Sequence, residues 1–274
     1  MPEADVKKYI ENLEDLSTIP VMLGKLLAVV WDENATAVEL YKVISFDQAL
    51  AQRILRVANS AAFGRSGDIK DIDQAILFLG FEKIKNIALG MTVMSTFTRK
   101  GAFNMTNLWI HSYEVGFLAS ALSDMIPMTL PGECFLGGLL HDVGRIVLVG
   151  MDPVKFNQIT TTDTMMDQEI GFFGSTHAYA GSLFAEKLKF PGDLSSIIRY
   201  HHQPSLAKQQ RGTTCAVALA EALSRRFSPR VEDDGIWTSE HDTILKEFSI
   251  SQEDIDNLGN RLIKAAPEIE SFFH

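Results

Sequence analysis

Five of the seven histidines fall between residues 111 and 202: His111, His141, His177, His201 and His202. One stands in the doublet His141-Asp142, and two are neighbours. Imidazole nitrogen and carboxylate oxygen are the donors that hold Fe, Mn, Ni or Zn, and a carboxylate can bridge two such ions. The set offers one or two places for a divalent transition metal. A metal there could lower the pKa of a bound water. No local motif such as HExxH fixes these ligands relative to one another. Four separate helices must bring them together.

The adjacent pairs constrain where those helices end. Neighbours on a continuous helix point about 100° apart, so they cannot share one face. His141-Asp142 and His201-His202 can each converge only near a helix terminus. Gly144 follows the first pair and Pro204 the second, and both residue types end helices.

Helical periodicity dominates the rest of the chain. Thr36 with Glu39 forms a capping-box pattern. Residues 47–59 place Leu50, Ile54, Val57 and Ala58 on one face. FGRSGD, residues 63–68, has turn chemistry. Asp71 or Asp73 can cap the next helix, which stops at Gly80. Residues 81–97 read as another helix, and 99–107 as a break in composition. Ser251 with Asp254 opens a closing helix, and residues 228–241 read as loop. No convincing period-2 strand occurs; GRIVLVGM comes nearest and is still read as mostly helix. The expectation is an all-α bundle in two packed lobes. Residues 1–100 form the first, 101–227 carry the histidines, and 228–274 are an acidic extension. The short, mixed linker implies a shared apolar interface between the lobes.

Composition narrows the function. The chain has 274 residues and a net charge of −10. Residues 228–274 hold eleven acidic and four basic side chains, a net of −7. A general nucleic-acid binder needs a basic excess, so nucleic acid is not an expected partner. Cys134 and Cys215 sit in apolar helical text and read as buried free thiols. No leader is apparent, and no apolar run reads as a membrane span, so a cytoplasmic protein is expected.

The spaced pattern H…HD…H…HH, with GGLLHDVGRIVL around the doublet, resembles the metal-dependent phosphohydrolase superfamily named for its His-Asp pair. RVANSAAFG, AILFLGFEKIKNIALG and EIGFFGSTHAYAGSLFAEKLKFPGDLSSIIRYHHQP sharpen the match. Together they resemble the HDOD domain, a bacterial relative of those enzymes, over about residues 13–225. The resemblance implies an all-helical fold, a role in bacterial signalling through protein partners, and often no catalysis. It implies His111, His141, Asp142, His177, His201 and His202 as metal ligands. It also makes Asp142 and Arg145 the catalytic candidates, with Arg145 a cation that could face a phosphate-containing ligand.

Three departures from the catalytic relatives bear on activity. HHQPSLAKQQRG lacks the Gly-Tyr-Pro of enzymes that cleave cyclic di-GMP, which disfavours that substrate. Arg145 stands where those relatives have Lys, a planar fork in place of a point charge. Leu219 falls at the place of the last Asp ligand, with Glu221 the nearest carboxylate two residues on. A signalling protein with weak or no hydrolysis is the expected function. A divalent-metal phosphohydrolase acting on a nucleotide or other phosphate ester is the alternative.

Overall fold

Helix-start signals sit where helices begin. The Oγ1 of Thr36 accepts from the Glu39 amide, and the Glu39 carboxylate accepts from the Thr36 amide at 2.7 Å. Asp47 caps the following helix through the Ala49 and Leu50 amides. Asp71 caps the next, which Gly80 ends with φ +89°, a value that glycine adopts freely. Ser251 and Asp254 make the second expected capping box.

The computed structural model describes residues 3–12, 21–60, 69–97, 105–159, 164–190, 194–228 and 237–273. FGRSGD, residues 99–104 of the linker and residues 229–236 lie outside them. Every regular element among the described residues is helical. In chain order they are α1 (Glu3–Asn12), α2 (Val21–Trp31), α3 (Ala37–Ser45), α4 (Gln48–Ala58), α5 (Ile72–Leu79) and α6 (Phe81–Phe97). There follow α7 (Met105–Leu122), α8 (Pro131–Leu140), α9 (Val143–Met151), α10 (Pro153–Phe156) and α11 (Met165–Phe173). The last are α12 (His177–Lys187), α13 (Leu194–Tyr200), α14 (Arg211–Phe227), α15 (Ser239–Glu247) and α16 (Gln252–Ser271). α15 begins inside residues read as loop, after the cap residue Thr238.

Helices α2 to α5 pack around α6, and α4 buries Leu50, Ile54, Val57 and Ala58 there. In the histidine-bearing half, α7, α8 and α14 pack on one another, α9 lies on α12, and α13 joins α12 to α14. The two halves meet where α6 crosses α8, and one apolar cluster runs through both. The Trp31 indole on α2 also donates to the Lys189 carbonyl, at 2.5 Å. α1, first in the chain, lies against α9, α11 and α12 rather than against α2 to α6.

One apolar stretch is longer than the sequence reading allowed. Pro131–Met151 contains an 18-residue segment with a mean hydropathy of 1.5, apolar enough to span a bilayer. In the fold 78% of that segment is buried inside the protein, and it is broken at His141-Asp142 into α8 and α9. Its apolarity comes from being the core of the bundle.

Candidate metal centre

The helix ends fall where the paired ligands require them. α8 stops at Leu140, His141 is its C-cap, and Asp142 is the N-cap of α9. α13 stops at Tyr200, which leaves His201 and His202 in the turn before Pro204. His177 is the first residue of α12, and His111 lies within α7. Two glycines let these backbones approach. A Cβ on Gly138 would lie 2.6 Å from the Gly116 Cα, where α8 crosses α7. A Cβ on Gly144 would collide with the His177 carbonyl, where α9 crosses α12. That second crossing brings Asp142 beside His177.

All six predicted residues come together. Nε2 of His177 lies 3.0 Å from Nε2 of His202, 3.4 Å from Nε2 of His201 and 3.2 Å from Oδ1 of Asp142. Oδ2 of Asp142 lies 3.5 Å from Nε2 of His141. The rings of His111 and His141 are 5.4 Å apart. Three sets of donors can each surround an ion: His177, His201 and His202; His111, His141 and Glu221; and His141, Asp142 and His201.

The assignment of Leu219 to the ligand place is corrected. Leu219 is fully buried in the apolar core. The carboxylate at the centre is Glu221, 4.0 Å from both His141 Nε2 and His201 Nε2 and 3.7 Å from His202 Nδ1. Residues two apart on a helix face nearly opposite ways, so only one of the two can point at the histidines.

The residues around the ligands fix which ring nitrogens are available. Nδ1 of His141 donates to the Gly138 carbonyl at 2.6 Å, and Nδ1 of His201 donates to the Ile198 carbonyl at 2.7 Å. Nδ1 of His177 donates to the Glu169 carboxylate at 2.8 Å. Ser224 gives its hydroxyl hydrogen to Glu114 at 3.0 Å, so toward His111 Nδ1, 3.2 Å away, it acts as acceptor. In all four rings Nδ1 is thereby the protonated nitrogen. When neutral, each ring turns its Nε2 lone pair away from its Nδ1 anchor, as metal-ligating histidines do. Nε2 of His111 and of His141 are buried with no hydrogen-bond partner among the described residues. Buried polar atoms of this kind ordinarily have partners. A cation between the histidines and the carboxylates supplies what they lack, so the donor set fits a divalent transition metal.

Electrostatics favour the neutral ring at His111 and His201 and the charged ring at His177. Burial, with Arg225 and His141 adding to it, pushes His111 down to about 3. Burial and the neighbouring His202 hold His201 well below the ordinary imidazole value. Burial opposes a charge on His177 too, but Glu169 and then Asp142 outweigh it and raise it to about 9. Nε2 of His177, where the second proton of a charged ring would sit, faces both Asp142 and His202. Arg145 is buried, with Nε 3.1 Å from Asp142 Oδ2. Arg225 Nη2 lies 3.2 Å from Glu221 Oε1.

Glu169, Glu114, Ser224 and Arg225 were not among the predicted site residues. Part of the signal was present. Glu221, Ser224, Arg225 and Ser228 make a polar stripe at i, i+3, i+4 and i+7 along an apolar helix, and His111 with Glu114 repeats the i, i+3 step. Glu169 had no such neighbour to mark it.

Comparison with known proteins places this geometry in a family. A candidate phosphohydrolase from Shewanella amazonensis SB2B has a similar fold, with a TM-score of 0.77 at 24% identity over 99% of this chain and 98% of that one. An HDOD domain protein of unknown function from Geobacter sulfurreducens is similar at a TM-score of 0.75 and 20% identity, over 98% and 96%. An uncharacterized protein of Treponema pallidum (strain Nichols) is 24% identical over 232 residues. The match covers 78% of this chain and only 43% of that longer protein. Identities this low speak for the fold. The family model of the HDOD domain matches residues 16–204, which span α2 to the His201-His202 turn, and the chain belongs to the HDOD family.

Proposed function

We propose that this chain is a regulatory protein of bacterial signalling whose His/carboxylate centre holds one or two divalent transition ions and hydrolyses phosphate esters slowly or not at all. The observation that carries the reading is enclosure. His111, His141, Asp142, His177, His201 and Glu221 are each at most 2% exposed, and only the His202 side chain reaches solvent, at 10%. Structural metal sites are closed, whereas catalytic ones keep a position open for water and substrate. When bound, a metal of this kind supplies Lewis acidity and a more acidic water. The chain's residues supply the holding. Glu169 orients His177, Ser224 orients His111, and Arg145 and Arg225 balance the charges of Asp142 and Glu221. Output runs through protein contacts with signalling partners in the cytoplasm, where Cys134 and Cys215 stay reduced.

A second reading, a metal-dependent phosphohydrolase, is favoured by one observation. Asp142 stands within reach of both His177 and His141, and so between two adjoining sets of donors, as a bridge between two ions would. Metal analysis of the purified protein, then a panel of phosphate esters with added Mn, Fe or Ni, tests both. Bound metal with no turnover supports the regulatory reading. Turnover that disappears in His141→Ala and in Asp142→Ala replaces it with the second. A protein that binds no metal sinks both.

A further inference from the structure

A cavity lies in the seam between the two halves, with none of the histidines among its lining residues. There α4 and α6 face α7 and the end of α16 across a cavity of about 180 Å³. Its apolar wall is made by Met91, Met94, Trp109 and Phe272, and Arg53 and Arg56 also line it. The two arginines are one helical turn apart. Neither forms an ion pair among the described residues. Arg56 Nη1 makes one long contact, 3.4 Å to the Ser271 carbonyl, and its guanidinium lies 5.9 Å from the centre of the Phe272 ring. Trp109 is 3% exposed, and its Nε1–H has no acceptor among the described residues. Ser95 and Thr106 complete the polar lining, and no carboxylate contributes to it among the described residues.

The lining is thus rich in donors and poor in acceptors, in a chain whose net charge is −10. A buried indole N–H without a partner costs free energy that a bound acceptor would recover. Guanidinium forks match a planar carboxylate or a phosphate. The flat and sulfur-bearing walls suit an aromatic body. The volume is below the roughly 300–1,000 Å³ of sites for drug-sized ligands, which limits the occupant to a small molecule.

We propose that this cavity is a binding site for a small aromatic acid, its anionic head held by Arg53 and Arg56 and an acceptor taking the Trp109 N–H. The inference goes beyond the metal reading and does not depend on it. Isothermal titration of the full chain tests it, with 4-hydroxybenzoate as the probe, phenyl phosphate as a second acid and 4-hydroxybenzyl alcohol as the uncharged comparison. The expected result is saturable 1:1 binding of at least one acid, with the alcohol weaker by about tenfold or more, the worth of hydrogen bonds to charge. Arg53→Gln combined with Arg56→Gln, both exposed positions, should erase that difference. Trp109→Phe keeps an aromatic wall and should weaken the acids severalfold. Failure of both acids to bind, equal affinity for acid and alcohol, or undiminished acid binding by the double arginine variant would overturn it.

Discussion

Replacing Glu221 by Gln removes one negative charge from the centre and almost no volume. Its carboxylate lies 3.2 Å from Arg225 and within 4.0 Å of nitrogens on His141, His201 and His202. The change turns the carboxylate that Arg225 contacts into a neutral amide, and weakening a buried ion pair in this way costs up to about 3–5 kcal/mol. It also withdraws an anionic donor from the ion. Partners one layer out from a metal are worth about 10–100-fold in affinity, so a residue among the ligands should be worth at least about 100-fold. Leu219→Asp is the control, because it adds a carboxylate two residues away. Leu219 is fully buried among apolar side chains. Truncating a core leucine costs about 2–5 kcal/mol. A carboxyl in that place would also be raised by about 3–5 pH units, at about 1.4 kcal/mol for each. Against a typical total stability of about 5–15 kcal/mol, that variant should fold poorly and bind no more metal than wild type. Urea unfolding together with titration of Mn²⁺ or Zn²⁺ at neutral pH reads both effects. Wild-type metal affinity in Glu221→Gln, alongside tighter binding by a folded Leu219→Asp, would refute the assignment of the centre's second carboxylate.

In metal-free protein, Glu169→Gln should change the pH dependence of stability. His177 is held to about 9 in the fold, against about 6.5 for a free imidazole, so its contribution is fully present below about 6.5 and is lost as pH rises through about 9. The wild-type advantage over the variant in urea unfolding should shrink by about 2–3 kcal/mol between pH of about 6 and about 10; a constant gap would count against Glu169 as the group holding that proton. Ser224→Ala removes the hydroxyl between Glu114 and His111, and should lower stability by about 1–3 kcal/mol and metal affinity by about tenfold. Unchanged metal binding in that variant would remove His111 from the ligand set. Gly144→Ala drives a Cβ into the His177 carbonyl, with the Gly181 nitrogen only 2.5 Å away, and should cost about 1–3 kcal/mol or more. An unshifted urea midpoint would mean that α9 and α12 do not cross as closely as described.

Much of this protein was legible one element at a time. Thr36 with Glu39, Asp71, Gly80, and Ser251 with Asp254 mark helix ends through contacts only a few residues apart, and such contacts form wherever the segment folds. The face of α4 followed from its periodicity, and the placement of His141-Asp142 and His201-His202 at helix ends followed from the geometry of adjacent side chains. The five histidines and Asp142 could be gathered by residue type and by likeness to a known pattern. Which carboxylate joins them could not. Leu219 and Glu221 stand on the same helix two residues apart, and the rotation of α14 against α7 and α8 alone decides which of them meets the histidines. Glu169 reaches His177 across the turn that joins α11 to α12, and Ser224 reaches His111 across more than a hundred residues of chain. The cavity beneath Arg53 and Arg56 exists only where α4, α6, α7 and α16 meet. Local hydrogen bonding and periodicity act within a few residues and are written in the sequence. Helix rotation and crossing are set by close packing of side chains from distant segments, including the contacts that Gly138 and Gly144 permit, and only the tertiary structure decides them.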